Sequence, residues 1–140
     1  QAVPGGGDGT LAVYVAQSAA TATGPQVAAV QAYIDTVRPV TDSPTVTAAT
    51  AVTVNVTATI YVLAASDSTA NRALATDAMS AYINGLDLGD ATVDVVKLGA
   101  AIYAAAGIRD VDVVIPAADV SISAGQVAVV GTYTLTWTTV

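Results

Sequence analysis

The stretch Gly24–Leu63, GPQVAAVQAYIDTVRPVTDSPTVTAATAVTVNVTATIYVL, holds three kinds of structure in forty residues and decides how the rest of the chain is read. Pro25 suits the first turn of a helix, where its missing N–H would have no partner anyway. Val27, Val30, Ile34 and Val37 follow at spacings of three and four, which is one apolar stripe on a helix. Arg38-Pro39 stops it, because the residue before a proline is pushed out of the α region. Pro44 to Ala48 reads as a short strand. Val52 to Leu63 reads as a long one, with Val52, Val54, Val56, Ala58, Ile60 and Val62 on one face and Thr53, Asn55, Thr57, Thr59 and Tyr61 on the other. The second face is polar enough to meet solvent or a partner.

Outward from this segment, the same patterns continue. Leu11, Val13 and Val15 alternate with Ala12, Tyr14 and Ala16 as a half-buried strand. Asp67 or Ser68 can cap a second helix whose buried side would be Leu74, Ala78, Met79, Tyr82, Ile83 and Leu86, ending near Asn84-Gly85. A third helix is expected at Val95 to Ala106, capped by Asp94 and stopped by Gly107, with Leu98, Ile102 and Ala105 inward. The last third is β: Val111, Val113 and Ile115 alternate with acids, and Gln126–Val130 with Thr132–Thr138 reads as a hairpin around Gly131.

Composition bounds the function. With 140 residues the chain fits one domain and can bury roughly two-thirds of its unfolded surface. The hydrophobic fraction is 54%, but it is Ala and Val broken by Thr, Asp and Gly, and no run approaches the ~18 apolar residues of a membrane span. Residues 1–10, with PGGGDG, read as a flexible lead-in or linker, and residues 11–140 as a single domain. Gln1 is not an initiator Met, so a mature product or a portion of a longer chain is expected. Arg38, Arg72, Lys97 and Arg109 face eleven acids, all Asp, for a net charge of −7, which repels phosphate backbones. No nucleic-acid or membrane partner is expected.

The chain has no His, Cys or Glu. The usual general bases, thiolate nucleophiles and zinc ligands are therefore missing, and a Ser-Lys or paired-Asp enzyme would have to work from Lys97 and scattered Asp residues. The chain is read as a non-enzyme with no cofactor. Asp87, Asp90 and Asp94 crowd one turn and could bind a hard cation, but they lack the alternating-ligand loop and bidentate Glu of a calcium hand, and helix capping explains them better. PGGGDG lacks the Gly-Lys-Ser/Thr ending of a phosphate loop. Asn55-Val56-Thr57 has the form of a glycosylation sequon but also fits the polar side of a strand. Tyr133 and Trp137 could make a sugar-stacking face, a core edge or a subunit contact.

The order of these pieces resembles the C-terminal region of the baseplate J-like proteins, wedge components of contractile-tailed phages and related injection machines. The pieces are DGTLAVYV (Asp8–Val15), GPQVAAVQAYIDTVRPV (Gly24–Val40), VTVNVTATIYV (Val52–Val62), AYINGLDLGD (Ala81–Asp90), LGAAIYAAAGIRDVDV (Leu98–Val113) and PAADVSISAGQVAVVGTYTLT (Pro116–Thr136). The family has no catalytic motif to carry over. The resemblance implies a scaffold that joins other baseplate and tail subunits, in a sixfold assembly of the virion put together in the bacterial cytoplasm. Thr53, Asn55, Thr57, Thr59, Tyr61, Tyr133 and Trp137 are the expected interface. The expected fold is α+β: a two-layer α/β sandwich with a β-α-β-β-α-α-β core and a C-terminal β-hairpin. The competing function is an extracellular adhesive or carbohydrate-binding module.

Overall fold

The computed structural model describes residues 2–4, 10–18, 20–39, 41–89, 91–105 and 107–140. The fold is mixed α and β, as expected, but its strands fall into separate sheets. In the first unit, β2 (Thr10–Gln17) lies between β4 (Ser43–Ala48), parallel to it, and two short antiparallel strands, β1 (Ala2–Pro4) and β3 (Ala20–Thr21). The residues expected as a flexible lead-in thus include a paired strand at Ala2–Pro4, while the glycine run at 5–9 lies outside the described residues.

Helix α1 (Gly24–Val37) connects β2 to β4 and packs on β4. Gln26 Oε1 accepts the Thr23 N–H at 2.9 Å, which satisfies the chain just ahead of the first turn. The helix ends where Arg38 turns extended (φ −71°, ψ 147°) before Pro39. Its stripe of Val27, Val30, Gln31 and Ile34 is only half-buried, and no residue of α1 is fully buried. Gln31 lies over β4. Its Nε2 donates to Pro44 O at 3.1 Å and its Oε1 accepts from Val46 N–H at 2.8 Å, so one side-chain amide stands in for a neighbouring strand.

The second unit is larger. Strand β5 (Thr50–Val62) runs between β7 (Ile108–Ile115), antiparallel, and β9 (Gln126–Thr139), parallel. Between them in the chain come a 3₁₀ turn (Ala64–Ser66), α2 (Thr69–Asn84), β6 (Ala91–Val93), α3 (Val95–Tyr103) and β8 (Val120–Ile122), and β6 pairs only with β8. Ser68 Oγ caps α2 by accepting from Asn71 N–H, and Asp94 Oδ1 caps α3 by accepting from Lys97 N–H at 3.0 Å. Helix α2 covers β9, α3 covers β7, and the two helices touch each other. Beneath them lies the core: Val54, Val56, Ile60, Ala75, Met79, Ile83, Val93, Leu98, Ile102, Ile108, Ile122 and Ala128.

Three expectations are corrected. The single sandwich sheet is split, because β4 and β5 are separated only by Ala49 yet belong to different sheets. The hairpin around Gly131 does not form: Gln126–Thr139 is one strand paired along its length with β5. Gly131 sits at a bulge there, where a Cβ would come within 2.2 Å of Asn55 Oδ1, so the glycine serves close approach and not a turn. Leu74 is exposed, because the inward row of α2 is Ala75, Met79 and Ile83 at four-residue steps, one position round the helix.

The units meet where consecutive residues bond to different sheets. Ala49 N–H donates to Val15 O at 2.8 Å, and Thr50 N–H donates to Gly125 O at 2.9 Å. Beside this joint the Tyr14 ring lies against Gly125, whose φ of +75° suits glycine and whose missing Cβ leaves the space that the ring takes.

Candidate docking surface

Residues paired across strands point to the same side of a sheet, so the register of β5 with its neighbours sorts the expected interface into two groups. The side of β5 bearing Val54, Val56, Ala58, Ile60 and Val62 faces the helices and is buried. The opposite side bears Thr53, Asn55, Thr57, Thr59 and Tyr61; both helices of this unit lie on the other side, and β3 of the first unit approaches β5 and β9. Thr53 and Asn55 are exposed. Thr57, Thr59 and Tyr61 are half-buried because side chains of the strands on either side flank them.

Pairing adds members that the sequence pattern alone did not assign. Thr57, Thr59 and Tyr61 stand opposite Thr134, Thr136 and Thr138 of β9. On the other flank Thr59 and Tyr61 stand opposite Asp112 and Asp110 of β7. The open face is therefore three ranks of hydroxyls bordered by two exposed carboxylates. At its upper end a shallow cleft of about 490 Å³ is lined by Tyr61, Arg109, Asp110, Val111, Asp112 and Val140.

Tyr133 and Trp137 do not join this face. They pair with Val56 and Ile60, which places them on the helix-bearing side with Leu135. The bulge decides this: Val54 pairs with Val130 but Val56 pairs with Tyr133, so β9 carries one extra residue, and a one-residue shift sends every later side chain to the opposite face. Asn55 fills the gap, its Oδ1 accepting from Thr132 N–H at 3.0 Å and from Thr132 Oγ1 at 3.1 Å. The residue that had the form of a sequon thus holds the strand pair together.

Trp137 packs against the core, and the Arg72 guanidinium lies 5.2 Å from its ring centroid. Arg72 in turn grips Asp67 with two bonds, Nε to Oδ1 at 2.7 Å and Nη2 to Oδ2 at 2.8 Å. These bonds hold the Asp67 carboxyl below its ordinary value of 3.8 and push Arg72 up. Asp67, Ser68, Thr69 and Arg72 line a second open hollow of about 420 Å³. Asp94 is occupied as a cap with Lys97 Nζ 3.9 Å away, and Asp90 lies outside the described residues. Among the described residues no three acidic side chains are grouped as a metal site. Among the described residues no helix is long and apolar enough to cross a membrane.

The family model described as Baseplate J-like protein C-terminal domain matches residues 54–136, from the first half of β5 almost to the end of β9. No curated protein matches the chain.

Proposed function

We propose a structural role in a tail baseplate, from the premise that this chain belongs to the Baseplate J-like protein C-terminal domain family. The reading is that of a wedge component of a phage-type contractile tail, acting by assembly with other baseplate and tail subunits and without catalysis. Its place would be the virion, in a sixfold baseplate put together in the host cytoplasm. The observation that carries the docking part is the helix-free face of the β7-β5-β9 sheet, most of which, Asn55 to Tyr61 with Thr134 and Thr136, lies within the matched residues.

Strand spacing and rise give this face an area of about 370 Å², against the ~800 Å² per partner of a stable interface. A partner seated on Thr57, Thr59 and Tyr61 would therefore have to continue beyond the face. Asp110 and Asp112 favour a partner with basic groups at the matching edge. The carbohydrate-binding alternative loses its stacking platform, because Trp137 is engaged by the core and by Arg72.

Electron microscopy of the native particle is the test, with particles carrying Thr57→Arg and Thr59→Arg as the comparison. The expected result is density for this fold in a sixfold baseplate with the Thr-bearing face against a neighbour, and at least tenfold fewer assembled baseplates from the variant at unchanged thermal stability. Normal baseplates from the variant would remove this face from the assembly, and a particle lacking the domain would remove the structural role.

A further inference from the structure

A strand edge is a row of backbone donors and acceptors that another strand can take up, and folded proteins usually blunt such edges. The outer edge of β4 is blunted twice, by Pro44, which has no donor, and by the Gln31 amide on Val46 N–H and Pro44 O. The outer edge of β7 carries Arg109, Asp110 and Asp112 and runs into Pro116. β1, β3, β6 and β8 are two or three residues long. The start of β9 is taken up by Gly89, whose N–H donates to Gln126 O at 2.9 Å. The upper part, Thr132–Thr139, is different: it has no charge and no proline, and no strand among the described residues pairs with its outer side.

Which groups face outward follows from the ladder. Val140 N–H donates to Val62 O at 2.9 Å, and in a parallel pair the inward and outward residues alternate. Tyr133, Leu135, Trp137 and Thr139 therefore direct their N–H and C=O away from β5. The order Thr132-Tyr133-Thr134-Leu135-Thr136-Trp137-Thr138 also reads nearly the same in both directions about Leu135.

We propose that a second copy of this chain adds to the free edge of β9, antiparallel and centred on Leu135. In that register Leu135 meets Leu135 of the second copy, Tyr133 meets Trp137, Thr134 meets Thr136 and Thr132 meets Thr138, so every pair is of matching chemistry. The three outward residues Tyr133, Leu135 and Trp137 then form hydrogen-bonded pairs with about six backbone bonds across the contact. A two-fold axis makes this contact self-complementary and closed, and the two three-stranded sheets become one of six strands. Tyr133, 51% exposed in the single chain, gains an aromatic cross-strand neighbour. Like charge between copies does not oppose the contact locally, because residues 132–139 carry none. The inference goes beyond the docking of the open face and does not depend on it.

Sedimentation equilibrium of the 140-residue chain reads the stoichiometry. The expected mass is twice 13.8 kDa at about 100 µM chain, with at least a tenfold weaker dimer for Tyr133→Pro, which removes one outward donor at an exposed site, and no change for Tyr133→Phe. Register is read by single cysteines in a chain that has none of its own. Leu135→Cys should cross-link to a dimer on oxidation, whereas Thr139→Cys, about 26 Å from its counterpart in this register, should not. A monomer at 100 µM, a Tyr133→Pro chain that dimerises as tightly as the original, or cross-linking at 139 in place of 135 would each overturn the proposal. None of these results would bear on the open face, which Thr57→Arg and Thr59→Arg address separately.

Discussion

The two units of this chain use the same vocabulary of Val, Ala and Thr to different effect. In the second unit, both helices press on one side of a three-stranded sheet and twelve buried residues close a continuous core. In the first, α1 lies on a small sheet without burying any residue fully, and Val46 is the only fully buried residue before the joint at Ala49 among the described residues. Fewer than fifty residues bury too small a share of their surface to be stable on cohesion alone. The first unit is therefore ordered mainly by what it is attached to, and the family match, which starts at residue 54, covers only the unit that carries its own core.

The largest effect that tests this contrast is a matched pair of cavities. Ile60→Ala, at a site with 0% exposure, is expected to cost about 3 kcal/mol and to lower the denaturant midpoint of the whole chain. Ile34→Ala, on half-buried α1, should cost about 1 kcal/mol and leave the second unit's hydrogen-exchange protection intact. Equal losses in global unfolding would break the distinction between the units.

The joint gives a sharper, smaller test. Gly125→Ala places a Cβ 2.8 Å from the Tyr14 ring at a φ of +75° and is expected to cost about 2 kcal/mol. The loss should appear first as faster amide exchange in β2 and β4, with β5 and β7 little changed. Uniform exchange across both units would mean that they open together.

The smallest effect is electrostatic and confined to the second unit. The Arg72 hydrogen bonds lower the Asp67 pKa in the folded chain, so the stabilisation is present above the unfolded value of 3.8 and is lost as pH falls through the lower folded value. The stability difference between the native chain and Asp67→Asn should therefore exist at neutral pH, start to shrink near 3.8 and vanish only once the pH is below the lowered folded-state value. Both groups are partly exposed, which keeps the difference small. A difference that persists unchanged at pH 2 would assign it to packing.

Much of this was legible because it depends on local rules. Alternation along β5 named its buried face, the Arg38-Pro39 stop ended α1 at the right turn, and Ser68 and Asp94 were recognisable caps. What was not legible depends on partners. Nothing at Ala49 signals a change of sheet, since no turn residue is needed where a strand passes from one set of neighbours to another. Gly131 carries the same signal for a turn as for a close approach, and only the position of Asn55 on the opposite strand separates them. The open face was half readable: its β5 residues follow from period two, but Asp110, Asp112 and the three Thr residues of β9 enter through register. Tyr133 and Trp137 were readable as two aromatics on one side of a strand, but which side of the sheet they take is set by a bulge that one strand alone does not reveal.

The single residue between β4 and β5 has a mechanical meaning. Neighbouring Cα atoms are about 3.8 Å apart, and here the N–H groups of Ala49 and Thr50 are tied to different sheets. There is no slack to take up. A push on the first sheet must either break those bonds or turn β5 with it, so the small unit is coupled to the large one as a lever arm and not as a tethered appendage.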